Sequence, residues 1–459
     1  MKLSIDKVAA AVGGTVVGGP ESPVVVTGVS IDSREDQAGK LFVALGGERA
    51  DGHDFVEAAF AAGAVAALVE RDVDVLGLSV PAGALVKVAS TKQALKDLAA
   101  YYIRTTDVKV VGITGSAGKT TTKDMIASVL STKYSTLKTE GNYNNEIGLP
   151  LTVFRLEPHH EYAVIEMGMN HAGEIDRLSA IAPPDIALIT NIGLAHVENL
   201  GSREGIFAAK SEIFNHLKPN GAAVLNGNDD KLVTLRGKMP NMCYFGTEAD
   251  CFVRASEIIQ NGIESSDCMV KIGDTPSFKL HVPLPGKHIA FNALAAAAIG
   301  HLAGVPHDGI QRGIASFRPT KMRMDISACA YNGGEITLIN DCYNASPDSM
   351  KSSLDILANA SGRKVCVLGD MRELGDYSRS VHIEIAKHAC AKNLDMVVLV
   401  GDSFGHGYEA IKGDCVARYF VDQAACLRYI HEIIKPGDTV LVKAARGMKF
   451  EQTVKHLRG

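Results

Sequence analysis

The 459-residue sequence contains no tryptophan, and its nine cysteines all lie at or beyond Cys243 without a C-x-x-C pair. An odd, scattered set of thiols is typical of reduced cysteines, so we expect neither a disulfide framework nor a cysteine-based zinc site. The sequence also lacks a run of basic residues, and its net charge is −5. This charge balance argues against nucleic acid as the main partner and favours small-molecule chemistry.

Long apolar runs are missing as well. The alanine-rich stretches 56–69 and 291–305 are too short and too interrupted to span a bilayer, and we interpret both as buried helices. The N-terminal segment MKLSIDKVAAAVGG has no long apolar core followed by a cleavage site. We therefore expect a cytoplasmic protein with no signal peptide and no stable membrane insertion.

The length of the chain predicts about three domains, and 46% apolar with 22% charged residues is an ordinary globular composition. Short period-two and period-3.6 patterns alternate throughout, which predicts an α/β protein. We expect a small N-terminal α/β domain over 1–87 and a central domain with a mostly parallel sheet over 88–317. A C-terminal, doubly wound, Rossmann-like domain is expected over 318–459, although no G-x-G-x-x-G motif there implies a dinucleotide.

Residues 108–130, VKVVGITGSAGKTTTKDMIASVL, predict a strand, a phosphate loop and a helix. The glycines let consecutive N–H groups point at one anion, and the start of the helix adds positive potential there. Lys119 can reach terminal phosphates of ATP while the Thr120 hydroxyl ligates Mg²⁺. The loop residues expected at the phosphates are Thr114, Gly115, Ser116, Ala117 and Gly118.

The match to the general pattern G-x-x-x-x-G-K-[ST] is imperfect, because Ile113 stands at the first glycine position and the nearest glycine is Gly112. The alternative is a glycine-rich turn with an exposed lysine. The order of strand, glycines, Lys-Thr and helix disfavours that alternative. The central domain is therefore predicted to be a P-loop ATPase.

Polar residues follow several predicted strands and helices of the central domain. Glu166 closes the run YAVIE, as the acid of a Walker B strand does, and we assign it to magnesium. His196 follows a later strand and gains interest from its position beside the phosphate loop. By residue pattern alone, Lys210 is a helix-surface lysine that snorkels. His288 and Asn292, one helical turn apart, either frame a purine or line a core helix.

Two further groups lie at strand ends of the outer domains. Ser33 and Arg34, after Asp32, have the chemistry to hold a diphosphate, although turn residues with a solvated arginine are the commoner interpretation. Charged residues also follow strands of the C-terminal domain, which indicates a cleft facing another domain. The strand-end residues are Asp341, Asp370, Asp402 and the run 443–446, which begins with Lys443 and ends with Arg446.

Motifs along nearly the whole chain resemble the Mur ligases of bacterial cell-wall synthesis. In order they are DSR, LFVALGGERADGHDF, TGSAGKTTT, NYNNEIGLPLTV, YAVIEMG, NIGLAHVENLGS, AAKSEIF, GKHIAFNALAAAA, NDCYNASPDSM and GDMRELG. The resemblance implies an N-terminal domain for the UDP end of a substrate, a central ATPase and a C-terminal domain that brings an amine. It also implies ATP-dependent amide formation through an acyl phosphate.

Within that family, two features favour UDP-N-acetylmuramoyl-tripeptide and D-alanyl-D-alanine as substrates. Residues 343–345 are Tyr-Asn-Ala where a sister ligase has Tyr-Ala-His, and the sister's Asp-Asn-Pro-Arg motif is missing. The chain departs from its own family's pattern at Asn340, at Ser346 and at Met322, which replaces a glycine before Arg323.

The resemblance implies a role for each residue that matches a family motif. Lys119, His196, Lys210 and Arg323 are expected to be catalytic, and Lys210 matches a lysine that is carbamylated in relatives. The resemblance implies that Lys119 and Thr120 contact phosphate and magnesium, and that Glu166, His196 and Lys210 also lie at magnesium. It implies that Arg323 contacts the γ-phosphate, and that His288 and Asn292 lie near adenine. Asp32, Ser33 and Arg34 are implied to contact the uridine end of the substrate. Asn344, Asp370 and Lys443 are candidates for gripping the dipeptide.

Two alternatives stay open at this point. One is a related ligase with a different amino-acid or polyglutamyl acceptor. The other is a non-ligating P-loop protein, either a nucleotide-gated module or a phosphotransferase. We expect a monomer in each case.

Overall fold

The computed structural model describes residues 1–18, 20, 22–47, 50–73 and 83–458. It is an α/β protein in which helices cover three sheets of five, nine and six strands, with a separate two-stranded ribbon. The predicted α/β class with a mostly parallel central sheet is thereby confirmed. Among the helices of the described ranges, none combines the length and apolarity needed to cross a bilayer.

The N-terminal five-stranded sheet has the order β2-β7-β6-β5-β4, and all its pairs except β2 with β7 are parallel. The ribbon joins β1 to β3. The strands are β1 Leu3–Ser4, β2 Thr15–Gly18, β3 Val25–Val26, β4 Gly28–Ser30, β5 Lys40–Val43, β6 Ala66–Val69 and β7 Ala84–Lys87. The helices are α1 Ile5–Val12 and α2 Val56–Ala61, followed by α3 Thr91–Arg104. The alanine-rich stretch 56–69 is therefore not one buried helix. It contains α2 and β6, which match the helix over about 54–62 and the strand over 66–69 that the alternation of short patterns predicts.

The central nine-stranded sheet has the order β16-β15-β14-β13-β12-β11-β8-β10-β9. Its strands are β8 Lys109–Thr114, β9 Thr136–Lys138, β10 Tyr162–Glu166, β11 Ile186–Ile189, β12 Ala222–Asn226, β13 Met242–Gly246, β14 Val253–Asn261, β15 Ser265–Ile272 and β16 Phe278–Val282. Its helices are α4 Lys119–Leu130, α5 Gly148–Val153, α6 Glu174–Ile181, α7 Val197–Leu200, α8 Arg203–Ser211, α9 Lys287–Leu302 and α10 His307–Ala315.

The C-terminal six-stranded sheet has the order β17-β18-β22-β19-β20-β21, with only β17 antiparallel to its neighbour. Its strands are β17 Asp325–Tyr331, β18 Gly334–Asn340, β19 Arg363–Gly369, β20 Met396–Val400, β21 Ala417–Phe420 and β22 Asp438–Lys443. Its helices are α11 Pro347–Ala358, α12 Ser378–Ala391, α13 Asp402–Ile411, α14 Gln423–Ile433 and α15 Glu451–Arg458.

The phosphate-loop unit lies at the centre of the nine-stranded sheet. Strand β8 is flanked by β10 and β11 in parallel, and its apolar residues are buried because helices cover both faces. Helices α9 and α10 pack closely on α4 through glycines: a Cβ on Gly300 or Gly313 would lie 2.6 or 2.5 Å from atoms of Val129. This packing fixes α4, and with it the loop at its N-terminus.

Candidate active site

A cavity of about 980 Å³ lies between the central and C-terminal domains, where strands of both sheets end. Most of the residues assigned from the sequence line it, although they come from both domains. They are Ser116, Ala117, Gly118, Lys119, Thr120, Glu166, His196, His288, Asn292, Arg323, Asn344 and Lys443. The residues assigned from the sequence that do not line it are Thr114, Gly115, Lys210, Asp370, Asp32, Ser33 and Arg34.

The phosphate loop needs both of its glycines. Gly115 has φ +150°, and a Cβ there would lie 1.9 Å from the Thr190 hydroxyl oxygen. Gly118 has φ +79° and precedes the first residue of α4. Only glycine adopts the first position without a clash, and the second is left-handed. The tight strand-to-helix turn expected from the sequence therefore depends on these two residues.

Asn191, which the sequence analysis did not select, holds the backbone of the loop. Its side-chain oxygen accepts hydrogen bonds from the N–H groups of Ser116 and Ala117, at 3.1 and 2.8 Å. Thr114 is buried behind the loop, and its hydroxyl has no partner among the described residues. An asparagine directly after β11 was the available signal, because parallel strands end at the same edge.

Lys119 lies at the N-terminus of α4, and its Nζ donates to the Gly115 carbonyl at 2.7 Å. Burial is the main cause that lowers its pKa, and the nearby Arg323 guanidinium lowers it further, while Glu166 opposes both. An anion in the cavity would offset the cost of holding two cations close together. This arrangement suits a phosphate group.

Glu166 and Thr120 meet below the loop. The Thr120 hydroxyl donates to Glu166 Oε2 at 2.8 Å, and Asn144 Nδ2 donates to Glu166 Oε1 at 2.8 Å. A buried carboxylate and a hydroxyl beside a phosphate loop form the oxygen donor set that Mg²⁺ prefers. Asn144 lies in the NYNNEIG motif but was not selected from the sequence.

His196 connects the central domain to the C-terminal domain. It adopts φ +66°, and its Nδ1 lies 2.5 Å from Glu373 Oε2. Pairing with His196 is the main cause that lowers the pKa of Glu373. In this arrangement His196 contacts an acid of the other domain at the cavity wall.

Lys210 is buried, with 1% of its surface exposed, so the snorkelling interpretation is wrong. The α8 helix packs with this face inward because Ile206 and Ala209 beside it are also buried. Burial, together with the charge of Lys119, holds the pKa of Lys210 well below its usual range. The fraction of Lys210 that is in the neutral amine form is therefore much larger than for a lysine in water.

His288 and Asn292 lie one turn apart on α9 and both line the cavity, and Asn292 is next to the phosphate loop. A Cβ on Gly118 would lie 2.9 Å from Asn292 Oδ1, and Asn292 Nδ2 is buried without a partner among the described residues. Burial lowers the pKa of His288 to about 4, so its imidazole is neutral at pH 7. Both side chains face the cavity, and each has a neutral polar group available to a ligand.

Arg323 stacks on Tyr343, with the guanidinium carbon 4.0 Å from the ring centroid. Arg446 lies over the same ring at 5.4 Å. The Tyr343 N–H donates to the Met322 carbonyl at 3.1 Å, which joins the interdomain linker to the loop after β18. Arg323 Nε is buried without a partner in the described chain. Tyr343 was not selected from the sequence, although it follows a strand-end acid, whereas Arg446 belongs to the expected strand-end run 443–446.

Lys443 is buried at the end of β22 and forms an ion pair with Asp341 at the end of β18. Its Nζ also donates to the Asn344 carbonyl at 3.2 Å. The Asn344 side-chain oxygen accepts from the Arg446 N–H at 3.3 Å. The expected charged cleft is present at these two strand ends.

Asp370 occupies a different position. Its two carboxylate oxygens accept hydrogen bonds from the N–H groups of Ser403 and Phe404, at 3.1 and 2.9 Å. These groups belong to the first turn of α13, where a carboxylate stabilises the helix terminus. Asp370 is 5% exposed and lies off the cavity, so the structure shows it as a helix cap.

Asp32, Ser33 and Arg34 form a surface turn in the N-terminal domain. The Arg34 Nη2 lies 2.6 Å from Asp32 Oδ2, and the Arg34 N–H donates to Asp32 Oδ1 at 3.0 Å. Hydrogen bonds from Arg34 lower the pKa of Asp32 to about 2. The Arg34 side chain is 87% exposed, which leaves its outer face accessible to a ligand.

The fold and the site together define a P-loop enzyme in which a Rossmann-like domain closes over a nucleotide site. Family models match three successive segments: "Mur ligase family, catalytic domain" at 25–110, "Mur ligase middle domain" at 113–300 and "Mur ligase, glutamate ligase domain" at 322–446. The chain belongs to the Mur ligase family.

Similar proteins cover the full length of the chain. The UDP-N-acetylmuramoyl-tripeptide–D-alanyl-D-alanine ligase of Bacillus subtilis is 38% identical over 100% of this chain and 98% of its own length. The Escherichia coli protein of the same name is 36% identical over 95% and 94%. MurF from Acinetobacter baumannii has a TM-score of 0.91 at 33% identity, covering 100% and 99%. MurF from Thermotoga maritima, solved with ADP, has a TM-score of 0.81 at 30% identity, covering 94% and 97%.

Proposed function

We propose that this protein is an ATP-dependent ligase that adds D-alanyl-D-alanine to UDP-N-acetylmuramoyl-tripeptide in peptidoglycan precursor synthesis. The relatives of the same length carry that activity in their names. The observation that supports it best is a single cavity lined by Lys119 of the phosphate loop on one side and Asn344 and Lys443 on the other. A ligase needs a phosphate site and an amine site that open onto one reacting centre.

Amide formation from a carboxylate is uphill in water, so the carboxylate must first acquire a leaving group. The tripeptide carboxylate attacks the γ-phosphorus of ATP, which gives an acyl phosphate and ADP. The amine of D-alanyl-D-alanine then attacks the acyl carbon, releases inorganic phosphate and loses a proton. Lys119 and Arg323 are suited to stabilising the charge on the transferred phosphoryl group, since both face the cavity as cations.

Magnesium is the metal that fits the donor set. Thr120 and Glu166 offer oxygen ligands at the foot of the loop, and His196 lies at the wall of the same cavity. When bound, the ion would neutralise phosphate charge. The protein would hold these side chains in place for the ion. Asn144 orients the Glu166 carboxylate by donating to the oxygen that Thr120 does not contact.

We further propose which residues contact the adenine of ATP, the uridine end of the UDP-linked substrate and the dipeptide. His288 and Asn292 would frame adenine, because the unpartnered Asn292 Nδ2 and the neutral imidazole both face the cavity. Asp32, Ser33 and Arg34 would contact the uridine end of the substrate, with the exposed guanidinium available to a diphosphate. Asn344 and Lys443 would grip the dipeptide. The capping hydrogen bonds of Asp370 give its carboxylate a competing structural role.

A cytoplasmic location and a monomeric state complete the proposal. The nine cysteines, all in the described part of the chain, are free thiols, which is consistent with a reducing compartment. The acidic net charge and the lack of a basic run give no support to a nucleic-acid partner.

The deciding experiment is mass spectrometry of the product formed from UDP-muramoyl-tripeptides, ATP and D-alanyl-D-alanine. We expect the mass of the tripeptide plus that of the dipeptide minus water, with one ADP released per product. Diaminopimelate, lysine and glutamate serve as competing amines. Preference for one of these would favour a different ligase of the family, ATP hydrolysis without amine dependence would favour a binding module, and a persistent phosphorylated product would favour a kinase.

A further inference from the structure

Two exposed histidines face each other at the edge of the C-terminal domain. His431 lies in the last turn of α14 and His456 in α15. Their Nε2 atoms are 2.9 Å apart, and their ring centroids are 4.8 Å apart with the planes tilted by 43°. Neither residue lines the nucleotide cavity.

The two distances show that the rings converge instead of meeting head-on. Two imidazoles in a linear Nε2 contact of this length would have centroids about 5.1 Å apart, since each centroid lies about 1.1 Å behind its Nε2 atom. One metal ion bound to both nitrogens at about 2.0–2.1 Å, with an angle of about 90–100°, requires nitrogens about 3.0 Å apart and centroids about 4.7 Å apart. The observed pair is close to this second arrangement.

Tyr331 holds one of the two rings from behind. Its hydroxyl oxygen lies 2.8 Å from His431 Nδ1, and the two rings stack with centroids 5.7 Å apart at 20°. Burial raises the pKa of Tyr331, so the phenol stays neutral and can accept an Nδ1–H hydrogen bond. Such a bond leaves the Nε2 lone pair free to ligate, as is usual for metal-binding histidines.

We propose that His431 and His456 bind one divalent transition-metal ion of the class that prefers imidazole nitrogen. An N–metal–N angle of about 90–100°, as assumed in that comparison, suits Cu²⁺ or Ni²⁺ better than Zn²⁺, and Mg²⁺ prefers oxygen ligands. Within the described ranges, no group of three or more His, Cys, Asp or Glu residues is arranged for a metal. Water therefore completes the coordination, and the ion joins helix α15 to helix α14.

The test is calorimetric titration of the full-length protein, without an affinity tag, with Ni²⁺. We expect one equivalent to bind, and His456→Gln or His431→Gln to lose at least tenfold in affinity. Tyr331→Phe should weaken binding by about tenfold, the scale found when a hydrogen-bond partner of a metal-binding histidine is removed. Ni²⁺ should also raise the thermal unfolding midpoint of the wild type but not of His456→Gln.

The matched control removes another histidine pair, His159 and His160, whose rings lie 4.2 Å apart outside this site. The double change to glutamine should leave the titration unaltered. With Cu²⁺, electron paramagnetic resonance should show two coupled imidazole nitrogens in the wild type and one in His456→Gln. The proposal is overturned by a wild type that binds no better than His456→Gln, by loss of the site in the control, or by a spectrum with fewer than two nitrogens.

Discussion

At the scale of single residues, substitution of Lys119 is expected to have the clearest effect on activity. Its ammonium is buried near the Arg323 guanidinium, and the anion that would compensate both charges is a phosphate. Lys119→Ala should therefore reduce ligation by at least about a hundredfold, the scale expected for losing one main charge stabiliser. The measurement is ADP release in the presence of both substrates.

The control for this variant is Lys92→Ala, which removes an exposed lysine from α3. It should retain wild-type turnover, and both variants should unfold at the wild-type temperature. Near-normal ADP release by Lys119→Ala would refute the assignment.

Lys210 has a buried amine with a strongly lowered pKa, which is the state that takes up carbon dioxide to give a carbamate and a proton. We predict that the Lys210→Ala enzyme is inactive and partly regains activity when a small carboxylate such as acetate is added. The physical reason is that the free anion can occupy the space of the carbamate. Lys92→Ala, assayed with the same anion, should not respond.

An intact-protein mass spectrum recorded under carbon dioxide gives an independent readout of Lys210. An active wild type without the mass of the carbamate, together with a Lys210→Ala enzyme that acetate does not restore, would contradict this role.

His288 predicts a pH dependence of stability. Its pKa falls from 6.5 to about 4 on folding because the ring is buried. The unfolded chain therefore binds the proton first as pH falls, and stability present above pH 6.5 is lost progressively toward pH 4. The loss attributable to this ring is at most about 3 kcal/mol.

Thermal unfolding of the wild type and His288→Gln at pH 7 and pH 5 measures this effect. The drop in midpoint between the two pH values should be smaller for His288→Gln. His171→Gln, at an exposed histidine, should behave as the wild type does. If the unfolding midpoint of His288→Gln fell between pH 7 and pH 5 by as much as that of the wild type, protonation of His288 would not destabilise the folded protein.

At the scale of elements, the linker before the C-terminal domain stores backbone strain. Met322 has φ +64° and Met324 has φ +53° on either side of Arg323. A residue with a Cβ in the left-handed conformation destabilises the folded state by about 1–2 kcal/mol. Glycine avoids this strain, but it loses more backbone entropy on folding than alanine does, which costs about 0.5–1 kcal/mol. Met322→Gly should therefore be more stable than Met322→Ala by about 0.5–1 kcal/mol.

Both of these variants lose the same side chain, so their difference isolates the backbone. Chemical denaturation provides the measurement. Lys92→Gly and Lys92→Ala, in the exposed face of α3, should show the opposite order because glycine destabilises a helix. A Met322→Ala variant at least as stable as Met322→Gly would mean that the left-handed conformation carries no cost.

The elements also show where sequence patterns succeed. Strands β6, β10 and β20 have the bounds predicted from the sequence, which are 66–69, 162–166 and 396–400. Each is a short, buried apolar run ended by polar or glycine residues. The antiparallel strands β14 to β16 and the edge strand β17 were not expected. In β14 the alternation of buried residues breaks at a bulge between Ser256 and Ile259, and β17 shows no regular alternation. Burial does alternate along β15, so a period-two pattern was available there and was missed.

At the scale of the whole molecule, the C-terminal domain contacts the phosphate-loop region through Asp348 near the start of α11. A Cβ on Gly193 would lie 2.0 Å from Asp348 Oδ2. Gly193→Ala should therefore push the Asp348 carboxylate out of this contact and weaken domain closure, because the added methyl group overlaps the outer oxygen of that side chain. Ligation should fall by up to about a hundredfold, the loss that a displacement of about 1 Å between the two domains causes.

Small-angle scattering should show a larger radius of gyration for Gly193→Ala than for the wild type. The double variant Gly193→Ala with Asp348→Ala should recover compactness and part of the activity. Gly46→Ala, where an added Cβ meets nothing within 4 Å, is the control and should change neither property. A compact and active Gly193→Ala enzyme would contradict this view of domain closure.

The sequence by itself determined the α/β class, the order of strand, phosphate loop and helix, and most of the polar and charged residues that line the cavity. These follow from local periodicity and from glycines whose conformation is a local requirement. The tertiary structure alone decided that Lys210 is buried, that Asp370 caps α13, and that Asn191 and Tyr343 hold the loop and Arg323. The physical reason is that burial and pairing depend on atoms brought together from distant parts of the chain, and no local pattern specifies which of them meet.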